Sequence, residues 1–339
     1  MELQLNLAGG GYSVFLGKGL LFGLSDFIHL NRKVFLVTDD GVPEKWVQAV
    51  QAQCPDCHLE TVPQGEGAKS FPVYERLCSR LLELRFTRRD LILALGGGVI
   101  GDLAGFAAAT YLRGIDFVNI PTTTLSQIDS SIGGKVAINL DGVKNCVGAF
   151  YQPQAVLVDS EVLSTLPARH YANGLVEAVK AGLIYDPELF ELFEQGDAAA
   201  HLDEIILRSL RVKKAVVEQD EKESGLRRIL NFGHTIGHGV ESVYGLSGLY
   251  HGEAVAVGML PMIESPALRE RTERVLRGLG INPRMPYDPE AVYEVMTRDK
   301  KTHGGQITIV TVAELGKACL EDVPMEALKS RLCGKGPEG

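Results

Sequence analysis

The chain has 339 residues, 45% hydrophobic and 23% charged, which is the balance of a globular protein long enough to predict two domains. A formal net charge of −9 argues against a general nucleic-acid binder, because neutralising phosphates takes a basic surface. No run of about 18 uncharged apolar residues occurs, and the acidic, alternating Met1 to Asn6 lacks the regions of a signal peptide, so the expected setting is the cytoplasm.

Leu3 to Leu7 and Tyr12 to Gly17 alternate like strands, and Gly19 to Ile28 has helical spacing. Lys33 to Thr38 is a buried-strand run that stops at Asp39-Asp40-Gly41. A helix from Pro43 to Gln53 follows, then a strand from Leu59 to Val62, a loop with Gly65-Glu66-Gly67-Ala68-Lys69, and a helix from Phe71 to Leu84. Asp90 to Leu95 is apolar on both faces, and this alternation predicts a mainly parallel sheet covered by helices. Beyond Pro167 helix follows helix: Tyr171 to Ile184, Pro187 to Gln195, Asp203 to Glu218, two histidine-bearing helices, and a pair near the end. Only Gln306 to Val312 keeps a strand pattern. The expected fold is therefore α/β, with a Rossmann-like, mainly parallel sheet domain over 1–167 and an all-helical domain over 168–339. The six cysteines are expected to be reduced. Cys54-Pro55-Asp56-Cys57-His58 has the spacing of haem attachment, but without an export signal it is given no role.

After the strand at Leu91 comes Gly96-Gly97-Gly98-Val99-Ile100-Gly101-Asp102, leading into a helix from Leu103 to Thr110. Glycines let a pyrophosphate approach the backbone, and the helix N-terminus offers N–H groups. Positions 96, 98 and 101 satisfy the dinucleotide fingerprint, although in a later strand–helix connection than is usual. Asp39, ending an earlier strand, is placed to accept from an adenine ribose. Pro121 to Ser131 adds a row of hydroxyls and a carboxylate; Gly133-Gly134-Lys135 and Lys144-Asn145 then look like an anion pocket.

His234 and His238 lie four residues apart, so on a helix both face one way, and His251 opens the next apolar helix. With a carboxylate from elsewhere, two of these imidazoles would hold a divalent metal and leave a position open. Paired helical histidines are also ordinary polar residues. Glu177 and Lys180 share a helix face, which by itself reads as a surface ion pair. Lys213, Arg227 and the Lys300-Lys301 pair, with Lys135 and Lys144, would give one anionic substrate several counterions.

Gly96 to Asp102, Pro121 to Lys135, Lys144 to Pro153, Glu177 to Lys180, Asp220 to Glu241 and His251 to Met259 together resemble the motifs of the 3-dehydroquinate synthases, within the sugar phosphate cyclases. The resemblance covers nearly the whole chain. It implies zinc, with cobalt as the other possible metal, on Glu177, His234 and His251, with His238 as a substrate-contacting or proton-relaying neighbour. It implies NAD contacts at Asp39, Glu66, Lys69, Gly97, Gly98, Val99, Asp102, Thr122, Thr123, Asp129, Ser130, Lys135, Lys144 and Thr165. Lys135, Lys144, Asn145, Lys180, Lys213, Arg227, Asn231, Lys300 and Lys301 would meet a sugar acid phosphate, joined by Asp129. Arg113 would reach the phosphate of a neighbouring subunit, so a homodimer is implied, with no nucleic-acid or membrane partner.

The implied reaction turns 3-deoxy-D-arabino-heptulosonate 7-phosphate into 3-dehydroquinate. Hydride passes to NAD, phosphate is eliminated, hydride returns, and an aldol step closes the ring. Domain closure around the substrate would position it. Gly41 departs from the family's frequent Asn, and Pro261 to Arg269 replaces a longer helical hairpin. Another sugar phosphate cyclase and a metal-dependent polyol dehydrogenase are the alternative activities. Lys213 with Arg227 favours a substrate bearing a carboxylate.

Overall fold

Short runs of Val, Ile and Leu frame the first of two compact units, Met1–Tyr171 and Ala172–Gly339, in a computed structural model that describes residues 1–245, 248–298 and 306–332. Along the first unit come β1 (Glu2–Leu5), β2 (Tyr12–Gly17), β3 (Lys33–Asp39), α1 (Glu44–Gln51), β4 (Asp56–Val62), α2 (Phe71–Glu83), β5 (Leu91–Gly96), α3 (Gly98–Thr110) and β6 (Asp116–Pro121). An antiparallel ribbon, β7 (Lys135–Leu140) and β8 (Val143–Phe150), precedes β9 (Ala155–Asp159). The seven-stranded sheet has the order β1-β2-β9-β6-β5-β3-β4 and is parallel except at β1–β2. Every residue of β5 is buried, because helices cover both faces and no polar side is needed.

The sheet explains why the glycine turn is not in the first strand–helix connection. From β3 the chain steps outward to β4, then returns to the other side of β3 as β5 and goes on to β6. The order therefore reverses between β3 and β5, where the carboxyl ends of neighbouring strands leave a ligand crevice. Asp39 ends β3 and Gly96 ends β5. Helix α3 is apolar on nearly all sides and packs between the sheet and β7. Gly105 permits that approach, since a Cβ there would lie 2.4 Å from Val136 Cγ1.

The helix expected over Gly19 to Ile28 does not form; two 3₁₀ turns, Leu20–Phe22 and Leu24–Asp26, replace it. Gly23, at φ −139° and ψ 45°, interrupts the helical path. Asp159 instead accepts the Gly19 and Leu21 N–H groups, each at 3.0 Å.

The second unit continues from α4 (Ala168–Ile184), which begins in the first, through α5 (Pro187–Glu194), α6 (Leu202–Gln219), α7 (His234–Tyr244), α8 (His251–Met259), α9 (Pro266–Gly278) and α10 (Pro289–Arg298). It is helical but not all helical. The strand pattern at Gln306 becomes β10 (Gln306–Glu314), paired antiparallel with β11 (Lys317–Pro324) ahead of α11 (Met325–Leu332). Every residue of β11 is exposed or half-exposed, so it carries too little apolar alternation to announce itself. Among the described residues no helix is long and apolar enough to cross a membrane.

Candidate metal centre and dinucleotide crevice

Glycines set the geometry of the histidine cluster in the second unit by letting α7 and α8 pack unusually close. A Cβ on Gly258 would lie 2.0 Å from the Gly233 carbonyl oxygen, and one on Gly237 would lie 3.0 Å from that of Ala254. His234 is the first residue of α7, entered through Gly233 at φ 76°, a left-handed conformation that suits glycine. His251 is the first residue of α8. Asn173 on α4 accepts the Gly252 N–H at 2.6 Å, which ties the start of α8 to the helix that bears Glu177.

The result brings Glu177, His234 and His251 into one group. Glu177 is only 1% exposed; its Oε2 pairs with the Lys180 ammonium and its Oε1 faces two imidazoles. Its Oε1 lies 3.7 Å from His234 Nε2 and 3.6 Å from His251 Nε2. Ligand atoms about 2 Å from a tetrahedral zinc stand about 3.3 Å apart, so the spacing fits a shared divalent ion. His234 Nδ1 lies 3.1 Å from the Phe232 carbonyl oxygen, so Nδ1–H donates there and the Nε2 lone pair points to Glu177. Burial pushes the Glu177 carboxyl up, but Lys180 and the two imidazoles outweigh it and hold the group ionised. Burial and the Lys180 charge push His234 down to about 3. Burial also disfavours a charged His251, but the Glu177 and Glu241 carboxylates raise it to about 9.

A second group, His238, Glu241 and His251, shares one histidine with the first. There Glu241 Oε2 lies 3.6 Å from His251 Nδ1, and His238 is exposed. The deeper burial of its residues favours the Glu177 group as the candidate metal centre. Glu241 then stands behind His251, the side from which a carboxylate fixes the tautomer of a ligating imidazole. Its place three residues after His238 on the same helix was the available signal for it.

Lys180 is buried and paired with Glu177. Lys213 on α6 and Arg227 are also buried; Arg227 donates to the Glu221 carbonyl at 2.5 Å. Asp220 organises this loop by accepting the Gly225 N–H at 2.7 Å and the Arg227 N–H at 3.0 Å. Asn231 donates to Glu223 at 2.7 Å. Lys300 and Lys301 lie outside the described residues.

In the first unit the glycine turn gathers several of the expected cofactor residues. Gly97 caps α3 and Gly98 is its first residue, with Val99 and Asp102 in the first turns. A Cβ on Gly97 would lie 3.1 Å from Thr123 Cγ2, and one on Gly98 would lie 2.9 Å from Ser130 Oγ. That Ser130 hydroxyl is buried without a partner among the described residues, which fits a cradle for an oxygen-rich ligand. Thr122 donates its N–H to the Gly96 carbonyl at 2.9 Å, and Asp129 lies in the wide π-helical turn Ser126–Ser130. Burial raises the Asp39 carboxyl, and its Oδ1 accepts the Gly41 N–H at 2.9 Å. Gly41 has a local reason: a Cβ there would lie 2.2 Å from Gln64 Nε2, so the Gln64 side chain fills the space.

Lys69 is buried, with its ammonium 2.6 Å from Asp102 and 3.7 Å from Glu66. Lys135 and Lys144 are exposed on the β7–β8 ribbon; Asn145 adjoins Lys144, and Lys135 pairs with Phe150 at the other end of the ribbon. The Thr165 hydroxyl is engaged within the fold, accepting from Trp46 Nε1 at 2.9 Å and donating to the Val162 carbonyl at 3.0 Å. Arg113 is exposed beyond the C-terminal end of α3. A helix of 13 residues puts it about 20 Å from the glycine turn.

Models of both halves of one family match the chain: 3-dehydroquinate synthase N-terminal over residues 59–173, and 3-dehydroquinate synthase C-terminal over residues 174–302. A 3-dehydroquinate synthase of Streptococcus thermophilus is 39% identical across 98% of this chain and 99% of its own length. That of Clostridium acetobutylicum is 39% identical across 95% and 96%. Among solved structures, 2-deoxy-scyllo-inosose synthase complexed with carbaglucose-6-phosphate, NAD+ and Co2+ has a TM-score of 0.89 at 26% identity, covering 98% of this chain and 99% of that one. The 2-epi-5-epi-valiolone synthase of Streptomyces hygroscopicus, with NAD+ and Zn2+ bound, has a TM-score of 0.85 at 28% identity and covers 96% of each chain. A probable glycerol dehydrogenase of Sinorhizobium meliloti, at 16% identity and a TM-score of 0.62 over 95% of each chain, shares the fold alone.

Proposed function

The chain belongs to the 3-dehydroquinate synthase family, and from that premise we propose that it converts 3-deoxy-D-arabino-heptulosonate 7-phosphate into 3-dehydroquinate and phosphate, using NAD and zinc. The observation that carries the reading is the buried Glu177 carboxylate, paired with Lys180 on one oxygen and facing the Nε2 atoms of His234 and His251 with the other. When bound, NAD supplies a hydride acceptor that is restored within each turnover, and the divalent cation supplies a Lewis acid for the substrate hydroxyls.

The chain's own residues bind and orient the substrate. Lys135 and Asn145 hold its phosphate. Lys213 and Arg227 hold its carboxylate, a task for which the planar Arg227 fork suits two oxygens. Their burial strengthens that attraction, since a buried cation is poorly screened by water. Lys144, Lys180, Asn231, Lys300 and Lys301 complete the set of substrate contacts. His238, exposed one turn along from His234, relays a proton to or from the substrate. Cofactor contacts come from Asp39, the Gly97–Gly98–Val99 turn, Asp102, Thr122, Thr123, Asp129, Ser130 and Thr165, and from the Glu66–Lys69 loop. Arg113, about a helix length from its own glycine turn, serves the partner's substrate in a cytoplasmic homodimer.

The test is a coupled assay of the zinc-loaded protein with catalytic NAD and the heptulosonate phosphate, following phosphate, carbocycle and NADH together. Equal amounts of phosphate and dehydroquinate without accumulated NADH are expected. Steady NADH formation from a polyol, with no phosphate released, would move the chain to the dehydrogenases.

A further inference from the structure

The β7–β8 ribbon is irregular at one point. Ile138 pairs with Val147 and Leu140 with Val143, so Lys144, Asn145 and Cys146 together face the single residue Asn139. Extra residues on one strand lose their ladder partners, and such bulges re-aim side chains. Asn139 compensates for one loss: its Oδ1 accepts the Asn145 N–H at 2.8 Å. Asn145 is held at φ 55°, a left-handed conformation that asparagine tolerates better than most side chains.

The other contacts of Asn139 lead elsewhere. Its Nδ2 donates to Glu66 Oε1 at 2.8 Å, and its own N–H donates to the Lys69 carbonyl at 2.8 Å. The Lys69 ammonium closes the circuit by donating to Asp102 at 2.6 Å and to the Asn145 side-chain oxygen. With Oδ1 turned to Lys69, Asn145 has Nδ2 as the atom to donate to an anion. Asn139 thus bonds to Glu66 and Lys69 on the side assigned to the cofactor, and to Asn145 on the side assigned to the substrate phosphate.

We infer that Asn139 is a positioning residue that couples the two ligands: a cofactor that fixes the Glu66–Lys69 loop also fixes the bulge, and so preorganises Asn145 for the phosphate. This rests on the cofactor and substrate assignments proposed above. The bulge has three residues to order, and without Asn139 the Asn145 N–H loses its acceptor. Ordering them before the phosphate arrives removes that cost from substrate binding, which is positive cooperativity.

The experiment titrates the whole protein, with and without saturating NAD, using a phosphonate analogue of the substrate in which a methylene replaces the bridging phosphate oxygen. The parent is compared with Asn139→Leu, which keeps the size but makes neither side-chain bond, and with Asn139→Asp, which keeps the acceptor for Asn145 but sets a carboxylate against Glu66. The parent should bind the phosphonate more tightly with NAD present. In Asn139→Leu the NAD-bound affinity should fall about tenfold and the ratio of the two affinities should approach one. Asn139→Asp should keep the NAD-free affinity while losing the ratio. A parental ratio in the leucine variant would overturn the inference. So would equal losses of NAD and phosphonate binding in both variants that track a fall in melting temperature. A parent that binds the phosphonate equally with and without NAD defeats the coupling alone, whereas a parent that binds it under neither condition defeats the substrate reading.

Discussion

Replacing Glu177 by Gln preserves the shape of the side chain and removes its charge, so two consequences can be separated. In the metal-free protein Lys180, 3% exposed, loses the carboxylate it is paired with. Breaking one side of a buried ion pair costs about 3–5 kcal/mol, a cost limited by the ability of the lysine to release its proton. At about 2–4 °C per kcal/mol for a unit of this size, the metal-free variant should melt roughly 6–20 °C below the parent. For the metal, a four-ligand zinc site worth about 10–16 kcal/mol gives about 2.5–4 kcal/mol per ligand, or roughly two to three decades in affinity. Competition against a chromophoric chelator measures the affinity, metal content after dialysis gives the stoichiometry, and circular dichroism melts of the stripped proteins give the stability. Parental zinc affinity in Glu177→Gln would refute the assignment and direct the same test to Glu241. A stripped variant that melts with the parent would refute the argument from the buried pair.

Gly258→Ala should separate α7 from α8, because its Cβ would lie 2.0 Å from the Gly233 carbonyl; chelator competition should show at least about a tenfold loss of zinc affinity, alongside a lower melting temperature. Arg271 donates to both carboxylate oxygens of Glu194, at 2.8 and 2.7 Å, and joins α9 to α5. The Arg271 hydrogen bond, opposed by burial, holds the Glu194 carboxyl below its usual value. Its contribution is therefore complete above the unfolded value of about 4.3, and is lost as pH falls through the lower folded value. Since both groups are substantially exposed, Arg271→Ala should cost at most about 1 kcal/mol at pH 7. Denaturant titrations of parent and variant should converge in acid; a gap that stays constant with pH would defeat the assignment. Lys213→Ala should weaken binding of a carboxylate-bearing substrate more than binding of the matching carboxylate-free analogue, and equal losses would count against its role.

The chain by itself determined the elements whose signal is local. β3 and β5 were legible as continuous apolar runs because burial on both faces removes the polar alternation. The long helices showed their period, and the glycine turn and histidine spacing marked where chemistry could occur. Most individual site residues came from the resemblance, since no period distinguishes Thr123 or Lys213 from its neighbours. Only the tertiary structure decided which groups meet. Four-residue spacing puts His234 and His238 on one face, yet the buried carboxylate lies with His234 and His251, because glycines bring α8 against α7 and Asn173 ties α8 to α4. The helix expected at Gly19 to Ile28 gave way to Asp159, far along the chain, which takes its N–H groups. Asn139 carried no signal of its contacts, which exist only where a bulge and a distant loop come within hydrogen-bond reach. Local periodicity records which face of an element is buried; it does not record which other element buries it.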